Sequence, residues 1–357
     1  MGERRRREAL CWPAAGTGPL RARRFAFAYG RPCAKPLAKA VHARCASGLQ
    51  CSLVVSLSDI PGWVYKLLLV LATCIWGYSY LVTKDLLATV APSWLVGIRS
   101  LSAGVILGLV LLPRLRRCLS PRVVGAGVAL GVLDFIAQLT QTIGLTATTP
   151  GVSAFLTATY CIIVPFAWWV LARRRPTSFN VVAACVALVG IWLVSVSAAG
   201  ETLAIGFGEG MTLVCAFFYA VHIVFVSFFS RDHDVLVLTV LQFLVEGTLG
   251  CVLGAGTGAQ TSLAAFTPAL FAQLAYLVLL CCIACFAIQN VALAYVPPAQ
   301  ASLLLSLESV FGVLFSVLLY GEQLTSRLVV GFVLIFAAVL VSEALPGLRK
   351  GHVAKRD

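Results

Sequence analysis

With 357 residues, of which 60% are hydrophobic and only 11% charged, the chain carries less than half the charge of an ordinary soluble domain, in which about 25% of residues are charged. It cannot cover its own surface with polar groups, so a soluble protein is excluded and the surplus apolar surface must face a bilayer. The formal net charge of +13 is concentrated before the first apolar run and in a few short loops. Membrane orientation produces that distribution, and nucleic acid is not needed to explain it.

Residues 1–63 are rich in arginine, nearly free of acidic groups and without helical periodicity. They read as a disordered, basic tail able to touch anionic lipid. Two other readings stay open: an organellar targeting segment, although serine is scarce, and a start-site artefact, although the next methionine is Met211.

Ten apolar runs follow, at about 65–86, 92–112, 123–143, 151–172, 180–198, 206–229, 235–254, 270–296, 298–320 and 327–345. Each is long enough to cross a bilayer of ~30 Å hydrocarbon thickness. Each must be a helix, because only a helix satisfies its own backbone in hydrocarbon. Pro92, Pro121 and Pro298 stand at or near the starts, where a missing N–H costs little. Pro165 lies inside the fourth run and is expected to bend it. The expected fold is therefore an all-α membrane protein of ten transmembrane helices. Its five-helix blocks are 64–198 and 206–345, and 346–357 is a basic C-terminal tail.

Arginine placement gives the orientation. The loop after the second run holds Arg114, Arg116, Arg117 and Arg122; the loop after the fourth holds Arg173, Arg174 and Arg175; and Arg231 follows the sixth. The loops after the third, fifth and seventh runs have no lysine or arginine. Both termini are thus expected in the cytoplasm, and the chain in the cell membrane. Arg327 alone lies on the opposing side.

The two blocks share a faint internal repeat. Gln141, Leu145 and Pro150 recur as Gln289, Leu293 and Pro298, and Thr177-Ser178 recurs as Thr325-Ser326, all at a constant offset of 148 residues. Because each block has an odd number of helices, the second is expected to be inserted upside down relative to the first. Inverted repeats are a hallmark of secondary transporters.

An ionised group at mid-membrane costs about 3 kcal/mol or more, so each one in these runs needs a reason. The candidates are Arg99, Asp134, His222, Glu246 and Glu308. Asp134, Gln138 and Gln141 share one helical face. Arg99 could pair with Asp134 or Glu308 simply to hold helices together; the Asp134 face could be an interhelical hydrogen-bond ladder, and His222 a packed histidine. Glu246 is given no role. Glu308 has no partner among its helical neighbours and is the strongest functional candidate; its repeat counterpart is Tyr160.

The thirteen cysteines fall mostly inside apolar runs, where a thiol behaves as a small hydrophobe. Cys282 and Cys285 have redox-motif spacing but lack the βαβ context. Gly206-x-Gly208-x-Gly210 is not a phosphate loop, and Gly104-x-x-x-Gly108 and Gly127-x-x-x-Gly131 are packing motifs. No nucleophile triad, metal cluster or ATP-binding domain is expected, hence no cofactor and no enzyme activity; transport must run on a gradient or downhill.

Trp76-Gly77 with Lys84, Arg99, Leu307-Glu308-Ser309-Val310-Phe311 and Tyr320-Gly321-Glu322-Gln323-Leu324-Thr325 resemble EamA-type members of the drug/metabolite transporter superfamily. The likeness covers about residues 64–345. It implies ten helices in two inverted halves around a central cavity, and export of amino acids or other small metabolites. Two features depart from the family pattern: Arg173, Arg174 and Arg175 replace a Gly-Glu pair, and Ser309 replaces a proline, which implies a straighter ninth helix.

The resulting expectation is an alternating-access carrier, an exporter of a small polar or amphipathic metabolite. The substrate-binding residues are Trp76, Tyr80, Arg99, Gln138, Gln141, Tyr160, His222, Gln289, Asn290 and Glu308. Glu308 and Asp134 are the proton or cation coupling groups, and Arg99 or Lys84 would offset the charge of Glu308 or hold a substrate carboxylate. The expected partners are the substrate and the lipid bilayer, with a homodimer left open. The alternatives are a non-transporting membrane scaffold and a nucleotide-sugar antiporter of the same superfamily.

Overall fold

The computed structural model describes residues 61–173, 175–198, 205–230, 232–258, 267–292 and 304–343, all within the compact unit Cys33–Asp357. Most of the basic N-terminal segment, the C-terminal tail, Pro298, Arg174 and Arg231 lie outside the described residues.

Among the described residues there is no strand. The helices are α1 (Gly62–Leu86), α2 (Pro92–Val110), the short α3 (Leu112–Cys118), α4 (Pro121–Thr146), α5 (Pro150–Ala158), α6 (Tyr160–Ala172) and α7 (Ser178–Ala198). They are followed by α8 (Phe207–Phe229), α9 (Val235–Gly256), α10 (Pro268–Ala275), a π-helical segment Tyr276–Cys285, α11 (Phe286–Ala292), α12 (Leu307–Tyr320) and α13 (Ser326–Glu343). Among the described residues, seven helical stretches, with Pro150–Leu171 and Pro268–Gln289 each taken as one, are long and apolar enough to cross a membrane, and three shorter apolar helices stand where the fifth, ninth and tenth runs were expected.

Helix starts follow local chemistry. Pro92, Pro121, Pro150 and Pro268 occupy first-turn positions, where the helix has no use for their missing N–H. Ser120, Thr149, Asp234 and Thr267 cap the first turns of α4, α5, α9 and α10 by accepting backbone N–H bonds. Asp234 also takes the Arg114 guanidinium at 2.5 Å, which ties α3 to the start of α9. Gly321 ends α12 at φ 70°, in the left-handed region that glycine enters without a steric penalty.

The expected fourth helix is broken, but not by its proline. The break falls at Thr159, between α5 and α6, and Pro165 sits inside α6. Thr159 Oγ1 donates to the Leu156 carbonyl at 2.6 Å, so a side chain takes an acceptor near the last turn. The ninth helix, which Ser309 implied to be straighter, has a one-residue interruption with helical backbone angles. Ser306 interrupts it just before α12, and Ser309 Oγ donates to the Ser306 carbonyl at 2.8 Å. Both halves therefore carry a break at nearly the same place in their fourth helix.

The packing follows the same two-part plan. The second helices of the halves, α2 and α9, pack together, as do the fifth, α7 and α13. The broken helices meet where α5 packs on α12. Phe155 stacks on Phe332 at 4.2 Å between ring centroids, in a core that includes Val152, Leu156, Val194 and Ile335. Leu109, Val170, Leu188, Val252 and Leu318 stay exposed, as expected for side chains that contact acyl chains.

Candidate functional site

Next to the two helix breaks lies a narrow crevice, too tight to admit a water molecule, lined by Tyr80 of α1, Ala154, Thr157 and Ala158 of α5, Tyr160 of α6, Leu305, and Glu308 and Ser309 of α12. Tyr160 and Glu308 both lie in the first turn after a break. Interruptions in membrane helices can free backbone groups that an unbroken helix keeps to itself, and transporters place substrate and ion sites at such points.

A line of polar side chains runs from this crevice into the bundle. Gln141 Nε2 donates to the Tyr80 hydroxyl at 3.1 Å and to Thr157 Oγ1 at 3.2 Å. One turn back along α4, Gln138 accepts a hydrogen bond from Arg99 of α2. One turn further, Asp134 is fully buried and accepts from Gln242 Nε2 at 2.7 Å. Gln242 Oε1 meets His222 Nε2 at 3.1 Å. The spacing of Asp134, Gln138 and Gln141 along α4 thus puts all three onto one polar face, as the sequence implied.

The other expected residues are placed differently. Trp76 Nε1 donates to the Cys281 carbonyl at 3.1 Å and its ring meets Phe286 edge-on, on the side of α1 that faces the π-helical segment. Gln289 lies half-buried on α11. Asn290 is on the same helix, but its side chain lies outside the described residues. Arg99 bonds to Gln138 rather than to Glu308. Lys84 does not reach the crevice: its Nζ donates to the carbonyls of Leu145, Thr146 and Thr148 at 2.6, 3.2 and 2.9 Å.

Sequence reasoning gave Glu246 no role and did not single out Gln242 or Thr157. Glu246 is 1% exposed and lies against Asp134 and Ser100, near Arg99. A signal was available. Gln242, Glu246 and Gly250 repeat every four residues, and a glycine on that stripe marks the face another helix approaches most closely.

The lysine belongs to a clasp at one end of the bundle. Lys84 satisfies the terminal carbonyls of α4, where a cation also suits the helix dipole. Beside it, Thr148 Oγ1 donates to Glu209 at 2.7 Å, and Thr149 Oγ1 donates to Glu322 at 2.5 Å. Glu322 also accepts from the Gly151 N–H at 3.1 Å and from the Ser316 hydroxyl. The short α4–α5 connection is thus held from α1, α8 and the end of α12. Glu322→Ala removes the acceptor of three bonds and leaves the N-terminal turn of α5 short of a carboxylate. The expected loss is about 1–3 kcal/mol, read as a lowered thermal midpoint of the detergent-purified protein; an unchanged midpoint would show that the clasp holds nothing.

A model of the EamA-like transporter family matches residues 63–196 and again residues 206–343. An "Uncharacterized transporter" of Archaeoglobus fulgidus is 29% identical over 223 residues, which are 60% of this chain and 67% of the relative. A solved crystal structure aligns with TM-score 0.58 at 17% identity, covering 80% of this chain and 98% of its own; at that identity the likeness speaks to fold alone.

Proposed function

Because the chain belongs to the EamA-like transporter family, and is thereby a multi-pass membrane transporter, we propose that it moves a small polar or amphipathic metabolite out across the cell membrane by alternating access. The observation that carries this reading is the position of Glu308, a carboxylate in the first turn after a helix break, beside Tyr80, Tyr160 and Ser309 in a crevice between the two halves.

The doubled family match and the pairing of α2 with α9 and of α7 with α13 favour ten spans in two inverted halves. With both termini in the cytoplasm, the clasp of Lys84, Glu209 and Glu322 lies at the outer end and holds it shut. Drug-sized ligands occupy pockets of roughly 300–1,000 Å³, whereas the crevice as it stands has no room for even a water molecule. The halves must therefore rock apart, with the breaks at Thr159 and Ser306 as the points of give, before substrate enters. Glu308 then binds a proton or the substrate's cationic group, and Tyr80, Gln141 and Tyr160 supply its hydrogen-bonding surroundings.

A metabolite-resistance screen in an overproducing strain identifies a substrate, and reconstituted vesicles then test the carboxylate. Glu308→Gln keeps the shape of the side chain and removes its charge. Uphill flux in the variant is expected to fall to the level of empty vesicles, with an unchanged elution profile showing that the protein still folds. Full pH-sensitive uphill flux in Glu308→Gln would overturn the assignment, and a membrane scaffold would show no flux in either protein.

A further inference from the structure

Deeper in the bundle than the Glu308 crevice lies a second group of ionisable side chains. Asp134 of α4 is 0% exposed and Glu246 of α9 is 1% exposed. Gln242 Nε2 satisfies Asp134 Oδ2 at 2.7 Å. Asp134 Oδ1, both oxygens of Glu246, Ser100 Oγ and Arg99 Nε are buried with no hydrogen-bond partner. Five orphaned polar atoms from three helices meet at one place. Buried polar atoms are nearly always paired, because a lost hydrogen bond inside a protein is not replaced by water.

We propose that Asp134 and Glu246 form a proton site, a carboxylate pair that holds one exchangeable proton between its two side chains.

The local charges favour a proton over other occupants. Facing the pair are Arg99 and Ser100 from α2, Tyr219 and Cys215 from α8, Cys282 from the π-helical segment, and His222 from α8 through Gln242, with Cys281 beside Arg99. One guanidinium can offset one carboxylate, and it already donates to Gln138. A second carboxylate without a counter-charge, excluded from water, is strongly disfavoured. One proton neutralises it and supplies the missing donor between Glu246 and Asp134 Oδ1. Two carboxylates sharing a confined site cannot both ionise readily, which is the general route to a shared proton. A metal cation would add positive charge to a site that already has the Arg99 guanidinium close by, whereas a proton fits between the two carboxylates.

The histidine is the competitor for the balancing charge. Gln242 donates its amide N–H to Asp134, so its carbonyl turns to His222 and requires a hydrogen on His222 Nε2. That bond forms equally well with a neutral ring, so the histidine need not be charged.

The test uses the full chain purified in detergent, needs no substrate, and follows the infrared band of protonated carboxyl groups at neutral pH. Wild type is expected to show the band. Glu246→Gln and Asp134→Asn are each expected to remove one carboxyl's worth of intensity, because whichever acid remains is ionised against Arg99. Glu308→Gln removes the crevice carboxyl's own contribution to the band, and the pair's intensity is expected to persist in that background. In the Glu308→Gln background, a band that survives Asp134→Asn would mean a lone neutral acid, and overturns the shared proton. So does a wild-type protein without the band, or one whose His222 proves doubly protonated by nitrogen-15 NMR. Should neither pair variant fold, titrating wild type with sodium at fixed pH still decides: an unchanged band supports the proton, and a lost band assigns the site to a metal cation. The band with no flux in vesicles would count against the carrier reading only. Flux that depends on Glu308, without the band, would count against this proposal only.

Discussion

Replacing Arg99 with methionine is expected to lower the stability of the bundle by about 3–5 kcal/mol, the usual penalty for removing one partner from a buried ionic group. Methionine fills much of the volume of the aliphatic stem, so packing is nearly kept and the loss is electrostatic. Arg99 is buried on α2, donates to Gln138 of α4, and lies beside Glu246 of α9. Without it, Asp134 and Glu246 face each other with no fixed cation and with little access to water. The measurement is the thermal midpoint of the detergent-purified protein, compared among wild type, Arg99→Met and the triple variant Arg99→Met, Asp134→Asn, Glu246→Gln. The triple variant is expected to recover most of the loss, because neutral amides remove the uncompensated charge. A single variant as stable as wild type, or a triple variant no better than the single, would show that Arg99 does not balance these acids.

The helix runs and the polar face of α4 were legible because they depend on local rules. Apolar length sets the spans, and three-four spacing sets which side chains share a face. The breaks were not legible, for a reason visible in the threonines. Thr140, Thr142, Thr239 and Thr248 all bond back to a carbonyl one turn earlier, as Thr159 does, yet they sit in unbroken helices. The bond is common; its consequence depends on whether a facing helix accepts the displaced turn. The helix pieces α5 and α12, next to Thr159 and Ser306, pack on one another, and that contact joins residues far apart in sequence. The role of Glu246 was hidden in the same way: its partners sit on α2 and α4, and nothing within α9 names them. Lys84 shows the reverse error. Its charge suggested the cavity, but the chain ends of α4 offered it three carbonyls within reach.

Gly250→Leu is expected to be among the most damaging substitutions at positions that carry no chemistry. The α2 and α9 backbones nearly touch at Gly97 and Gly250. A Cβ on Gly250 would stand 2.6 Å from both the nitrogen and the Cα of Gly97 and 3.0 Å from the Ser93 carbonyl oxygen. A Cβ on Gly97 would stand 2.6 Å from the Cys251 nitrogen. These are backbone atoms, so no side-chain rotation relieves the clash and the helices must separate. Overpacking costs about 1–3 kcal/mol where neighbours can shift, and this site belongs at or above the top of that range. Gly125 provides the control, because a Cβ there meets nothing within 4 Å; Gly125→Ala should leave the midpoint unchanged or raise it by up to about 1 kcal/mol, the helical preference of alanine over glycine. The separation also reaches the ionic group, since Glu246 lies one turn before Gly250 and Ser100 and Arg99 lie just past Gly97. Gly250→Ala, the milder change, is therefore expected to pull Glu246 away from Arg99 and to reduce both the thermal midpoint and the flux of a reconstituted substrate. Full stability and full flux in Gly250→Ala would mean that the two helices can part without disturbing the acids between them.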